Sequence, residues 1–149
     1  MDLNPYWISG FVDGEGTFYV GIYKNPTMRI GFQVLPEFVI VQHRKDVELL
    51  YEIKNYFNCG VVRVNHGDRM EFRVRAVPDL NNVIIPFFKK YPLHSKKRED
   101  FEIFSEIVSL TVRKEHLTEN GIRKILNLSK EMNRKDKVRT ARLLKELVG

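Results

Sequence analysis

Cysteine is nearly absent from this chain. Cys59 is the only one among 149 residues, so no disulfide can form within the chain and a reducing compartment is expected. No apolar run approaches the ~18 residues needed to span a bilayer, and no signal or transit peptide is visible at Met1-Asp2-Leu3. The four histidines, His43, His66, His94 and His116, are scattered without zinc-site spacing. Internal repeats, linkers and low-complexity segments are missing as well. These absences argue against a membrane protein, a disulfide scaffold and a zinc module. What remains is a single domain over residues 1–149, with a hydrophobic fraction of 43% that suits a globular core.

Charge is present in excess, and unevenly. The net charge is +6. Residues 1–111 balance 14 Lys and Arg against 14 Asp and Glu, while residues 112–149 carry 11 against 5. The whole excess therefore lies in the C-terminal quarter. A basic surplus suits a polyanionic partner; on charge alone, a solvated basic helix accounts for it equally well.

The most informative stretch is Trp7 to Gly16. Asn4 is a good N-cap and Pro5 fits the first helical position, so a helix should start there. Gly14 and Gly16 are expected to give the backbone freedom that stops the helix and turns it into a strand. Gly10 and Gly14 lie four apart on one face, a spacing that lets two helices approach closely. Asp13 and Glu15 are thereby delivered to a helix C-terminus, where the dipole disfavours carboxylates unless a cation joins them. A buried helix with a glycine turn would use the same residues.

Beyond Gly16 the pattern switches to period two. Phe18, Val20 and Ile22 alternate with Thr17, Tyr19, Gly21 and Tyr23, which predicts a strand with one apolar face. After a turn at residues 24–27, a second strand is expected, with Ile30, Phe32 and Val34 opposite Arg29, Gly31 and Gln33. Pro36 should bend or bulge it before it resumes to Gln42. Asp46 can cap a helix to about Phe57, with Val47, Leu50, Tyr51 and Phe57 buried. A second hairpin follows, from Val61 to His66 and from Arg69 to Val77. In it Met70, Phe72, Val74 and Ala76 alternate with Arg69, Glu71, Arg73 and Arg75. Three arginines on one strand face suit a nucleic-acid groove, although an open antiparallel sheet also carries Arg for solubility.

Asp79 is expected to cap a helix through Phe88, and residues 91–97 to form a loop. Helices should follow from Arg98 to Val112, from an N-cap at Thr118, and from about Val138 to Val148. The fold class is α+β: a curved antiparallel sheet with an αββαββα core, helices on its apolar face and extra C-terminal helices.

Ile8-Ser9-Gly10-Phe11-Val12-Asp13-Gly14-Glu15-Gly16 resembles the LAGLIDADG signature of homing endonucleases. Gly10, Asp13 and Gly16 match it letter for letter, and Glu15 stands where the family carries its metal-binding acid. Three later stretches are similar to family segments: the strand ending at Gln42, the segment from Pro86 to Phe101, and the run from Leu117 to Asn133. The resemblance implies a saddle-shaped sheet over double-stranded DNA, with no small-molecule substrate and no membrane role. One copy of the signature implies a homodimer joined through Gly10, Phe11 and Gly14, and twofold symmetry implies a near-palindromic site.

The implied activity is Mg²⁺-dependent phosphodiester hydrolysis, with other divalent cations also admissible. Glu15 and the Gly14 carbonyl would hold the metal, Gln42 would place a water, and Lys97 would stabilise developing charge. Asp13 is assigned chiefly to fixing the turn. His43, Arg44, Lys45 and Lys96 lie close enough in sequence to compete for an active-site role. Tyr19, Tyr23, Lys24, Arg29, Gln33, Arg69, Arg73 and Arg75 are the DNA-contact candidates. An intron-encoded protein of a chloroplast or mitochondrion is the expected origin. An RNA maturase and a non-catalytic DNA-binding protein of the same fold are the rival readings.

Overall fold

The structure, a computed structural model, describes residues 2–132 and 137–148; Met1 and Asn133, at the ends of two of the sequence readings, lie outside the described residues. Helix α1 (Pro5–Glu15) begins as its sequence requires, with Asn4 Oδ1 accepting from the Tyr6 N–H at 2.8 Å. Its end differs from expectation. Gly16 has φ −86° and ψ 162°, ordinary extended backbone, and Gly14 is still helical. Gly16 supplies room instead: a Cβ there would lie 2.6 Å from Val12 Cγ1.

Strand β1 (Gly16–Lys24) pairs antiparallel with β2 (Phe32–His43) along its whole length, from Gly16 opposite Ile40 to Lys24 opposite Phe32. The second strand does not begin near Arg29, as its alternation predicts. Asn25 Oδ1 accepts from both the Thr27 N–H and hydroxyl, and Gly31 reverses the chain at φ +83°. Arg29 consequently sits in the connection. Pro36 does not bulge the ladder, where it lies in unbroken register opposite Val20. The neighbouring strand β4 (Arg69–Val74) pairs with β2 only from Phe38 onward, so the missing N–H of Pro36 interrupts no bond on that side.

The sheet has four antiparallel strands in the order β1-β2-β4-β3, with β3 (Val61–His66) at the edge and a register shift between Val64 and His66. Between the hairpins, a 3₁₀ turn (Arg44–Asp46) leads into α2 (Val47–Phe57). Asp46 makes no side-chain cap; His43 Nδ1 accepts from the Lys45 N–H at 3.1 Å and caps the preceding turn. Leu50, Ile53 and Phe57 are buried, whereas Tyr51 is 42% exposed, contrary to its assignment from periodicity.

β4 ends at Val74, and the next helical run starts at Val77, two residues before the expected Asp79 cap. It passes from α3 (Val77–Asp79) through a π-helical turn (Leu80–Ile84) into α4 (Ile85–Lys90). Pro86 explains the wide turn: it has no N–H to give and its ring would clash with the carbonyl four residues back. Helix α5 (Lys97–Val112) follows, then α6 (Glu119–Ser129) and α7 (Lys137–Val148). α6 starts at its expected cap, where Thr118 Oγ1 accepts from the Gly121 N–H at 3.0 Å.

The helices cover one face of the sheet. Phe18 and Phe38, almost fully buried, stack at 5.0 Å between centroids. Phe18 meets Phe88, Phe101 and Phe104 from the helical layer, and Phe38 meets Phe72 and Phe88. Burying aromatics of this size drives the layer together at about 25 cal/mol per Å² of apolar surface. The opposite sheet face, carrying the odd-numbered residues of β1, β2 and β4, is left uncovered by this layer. Among the described residues no helix is long and apolar enough to cross a membrane.

Candidate active site and nucleic-acid face

The C-terminal end of α1 concentrates unsatisfied carbonyls and negative dipole. The cation it requires is Lys97, the first residue of α5, whose Nζ donates to the carbonyls of Val12 at 3.0 Å and Asp13 at 3.1 Å. Burial pushes the Lys97 pKa below that of an ordinary lysine, while Asp13, Glu15 and Asp100 act in the opposite sense.

Asp13 holds the loop that delivers Lys97. Its carboxylate accepts from the His94 N–H at 2.9 Å, the Ser95 N–H at 3.0 Å and the Ser95 hydroxyl at 2.7 Å. Ser95 Oγ in turn accepts from the Lys97 N–H at 3.3 Å. Ser9, buried in α1, ties the same loop by donating to the Tyr91 carbonyl at 2.6 Å. Burial works to raise the Asp13 pKa, but the Ser95 hydroxyl and the two backbone donors outweigh it and hold the carboxyl below the usual range. Asp13 was expected to fix the turn at the end of α1; its hydrogen bonds go instead to the 94–95 loop. Neither His94 nor Ser95 was singled out by sequence; a Ser two residues before a candidate lysine is the only signal that pointed there.

Glu15 is exposed one residue before β1. With Gly14, Gly16, Thr17, Phe18, Lys97 and Asp100 it lines a cleft of about 310 Å³. The structure therefore brings Glu15, Gly14 and Lys97 together from distant parts of the chain. Gln42 does not line this cleft. It lies two residues beyond Ile40, the partner of Gly16, at the same end of the sheet, and its Nε2 donates to the Val41 carbonyl at 2.9 Å. Lys96 is exposed at the start of α5, Arg44 faces Asp68 at 3.5 Å, and His43 is the cap already described.

Among the described residues no group of three or more His, Cys, Asp or Glu side chains is gathered as a metal site. The cleft nevertheless offers hard oxygen donors in the Glu15 carboxylate and the Gly14 carbonyl. Mg²⁺ commonly takes one or two carboxylates and leaves the rest of its shell to water and phosphate. The donor set fits such an ion.

The open sheet face presents Tyr19 and Tyr23 from β1, Gln33 from β2, and Arg69 and Arg73 from β4, with Arg75 just beyond its end. Gln33 Oε1 is approached by Asn25 Nδ2 at 3.4 Å, Lys24 pairs with Glu146 of α7, and Arg75 pairs with Glu37. Arg29 stands exposed in the connection. Glu37, Glu71 and Arg63 lie on this face as well, although none of them was assigned a site role from sequence. On α1, a Cβ at Gly10 or Gly14 would meet no atom within 4 Å, and Trp7 stacks on Phe11 at 5.1 Å beside the exposed Tyr6. That leaves a helix face of small and aromatic residues, with Phe11 partly buried against the core at its edge.

A family model described as LAGLIDADG endonuclease matches residues 8–108, from the buried start of the signature into the second half of α5. The chain belongs to the LAGLIDADG endonuclease family. It is 50% identical to the homing endonuclease I-TnaI, with a TM-score of 0.93 over 99% of both chains. It also superposes on the meganuclease I-SmaMI bound to uncleaveable DNA, at 31% identity and a TM-score of 0.94, covering 99% of this chain and 50% of that one. Among curated proteins it is 44% identical over 133 residues to probable intron-encoded endonuclease 2 of Neurospora crassa, covering 88% of this chain and 29% of the relative. A protein in ND4 intron 1 of Podospora anserina is 42% identical over 118 residues, 78% of this chain and 26% of that protein. The chain thus spans between a quarter and a third of the length of these curated relatives. The LAGLIDADG domain seen here corresponds to the whole of one solved chain and to half of another.

Proposed function

We propose that this LAGLIDADG protein is a site-specific double-strand DNA endonuclease that acts as a homodimer on a long, near-palindromic site. The observation that carries the reading is the meeting of Glu15 and Lys97 in one cleft, at the end of a helix whose outer face is small and aromatic. Pairing of two α1 helices through Gly10, Phe11 and Gly14 would set two such clefts side by side and offer the two open sheet faces to one duplex. Names of similar structures support DNA as the partner, since I-SmaMI is described as bound to cleaved DNA.

Glu15 and the Gly14 carbonyl would hold Mg²⁺ or a similar divalent cation. When bound, that ion supplies a Lewis acid for the scissile phosphate. Lys97, anchored by the α1 carbonyls, stabilises negative charge developing on the phosphate oxygens. Gln42 orients a water from the end of β2. The odd-numbered side chains of the sheet read base edges in the major groove, where Arg to guanine is the commonest specific contact. The basic C-terminal quarter adds a salt-sensitive attraction to the backbone. The intron-encoded relatives support an organellar intron as the origin.

Glu15→Gln tests the assignment. It keeps the size of the side chain and removes the charge, so cleavage should be lost while DNA binding is retained. Undiminished cleavage by this variant would overturn the role of Glu15.

A further inference from the structure

A face that binds a polyanion should avoid carboxylates, yet the open sheet face of this protein keeps two. Glu37 lies on β2 opposite Tyr19, and its side chain is 19% exposed. Glu71 lies on β4 between Val41 and Arg63, at 7% exposure. Each is paired with an arginine on the same face: Arg75 Nε donates to Glu37 Oε2 at 2.7 Å, and Arg63 Nε, which donates to the Val64 carbonyl at 3.4 Å, stands 3.5 Å from Glu71 Oε1. Solubility does not explain burying a carboxylate among arginines, and surface ion pairs of this kind contribute little stability.

We propose that Glu37 and Glu71 are specificity-determining residues that brace Arg75 and Arg63 for guanine. This rests on the reading of the protein as a DNA endonuclease. In both pairs the contact to the carboxylate is made by Nε, so the end-on edge formed by the two terminal Nη groups is not the edge the carboxylate takes. Those two groups are the ones an arginine uses end-on against guanine O6 and N7. A guanidinium already fixed by a carboxylate gives up less rotamer freedom on binding, and its planar fork keeps its orientation. The carboxylates also repel phosphate, so these arginines are held back from non-specific backbone contact. Val41, the β2 partner of Glu71, is four residues from Glu37. That separation is roughly 13 Å along a strand, so the two arginines address different base pairs.

The test is selection of cleaved sites from a randomised DNA library by the full-length protein and by the Glu37→Gln, Glu71→Gln, Arg75→Ala and Arg63→Ala variants, with thermal melting to confirm folding. Glu37→Gln and Arg75→Ala should lose guanine preference about tenfold at one shared position in each half-site. Glu71→Gln and Arg63→Ala should do so at a second position, with the rest of the site unchanged. Two results would overturn the inference while leaving the endonuclease reading intact. One is a wild-type site that the Glu variants reproduce with uniformly raised affinity; the other is a change at a position that the matching Arg variant does not affect. Wild-type protein that selects no sequence at all would overturn both.

Discussion

Replacing Asp13 by alanine removes the acceptor of three hydrogen bonds, from the His94 N–H, the Ser95 N–H and the Ser95 hydroxyl, at 2.7–3.0 Å. Bonds to a charged group contribute about 1.5–3 kcal/mol each when well shielded. This carboxylate is only partly buried, so screening reduces the sum to about 2 kcal/mol. For a domain of this size that corresponds to a fall in Tm of roughly 4–8 °C. The sign of the pH dependence follows from the lowered Asp13 pKa. The folded state binds the proton less readily than the unfolded chain. The stabilisation is therefore fully present above the unfolded carboxylate pKa and is lost as pH falls through the folded one. Thermal melts of wild type and Asp13→Ala should differ at pH 7 and converge in acid. Because the same bonds hold the loop that positions Lys97, the single-turnover cleavage rate at pH 7 should fall more than DNA affinity does. A melt unchanged at pH 7, or a gap that persists undiminished at pH 3, would refute the reasoning.

Other consequences are open to direct measurement. Lys97→Met should slow cleavage by about 10²–10³-fold with DNA affinity little changed, read by single-turnover kinetics. Gly10→Leu should leave the folded chain intact, since nothing within the chain occupies the space at its Cβ, but it should abolish self-association in analytical ultracentrifugation. Phe38→Ala, at the centre of the aromatic layer, should destabilise the protein by ~3–5 kcal/mol in urea unfolding.

Much of the fold was legible because its signals are local. Asn4 with Pro5 and Thr118 with Gly121 set helix starts within three residues, and the alternation of Phe18, Val20 and Ile22 needs no knowledge of the partner strand. The exceptions each depend on something outside the local window. Pro36 is harmless because β4 stops at Val74, a fact of register. Tyr51 lies at the margin of the α2 stripe that buries Leu50, Ile53 and Phe57, and stays 42% exposed. Asp46 and Asp79 are good caps by type, yet His43 caps the turn ahead of one and the other lies inside a helix started at Val77. Arg29 continues the alternation of β2 on paper, but Asn25 and Gly31 fold those residues into the connection.

The candidate site shows the same division. Glu15 and Gly14 were named from the signature and Lys97 from the similar segment between Pro86 and Phe101, and they share a cleft. The hydrogen bonds of the 94–95 loop to Asp13, and the Glu37 and Glu71 partners of the arginines, arise from residues 81 and 38 positions apart or on neighbouring strands. No spacing rule reaches that far.

Cleavage of a randomised DNA library with Mg²⁺ and with EDTA, followed by sequencing of the cut ends, bears most directly on the central claim. The account predicts metal-dependent cuts at one long, roughly palindromic site, lost in Glu15→Gln. Binding without cutting under any divalent cation would contradict it, and would identify a DNA- or RNA-binding protein that has kept the fold without the chemistry.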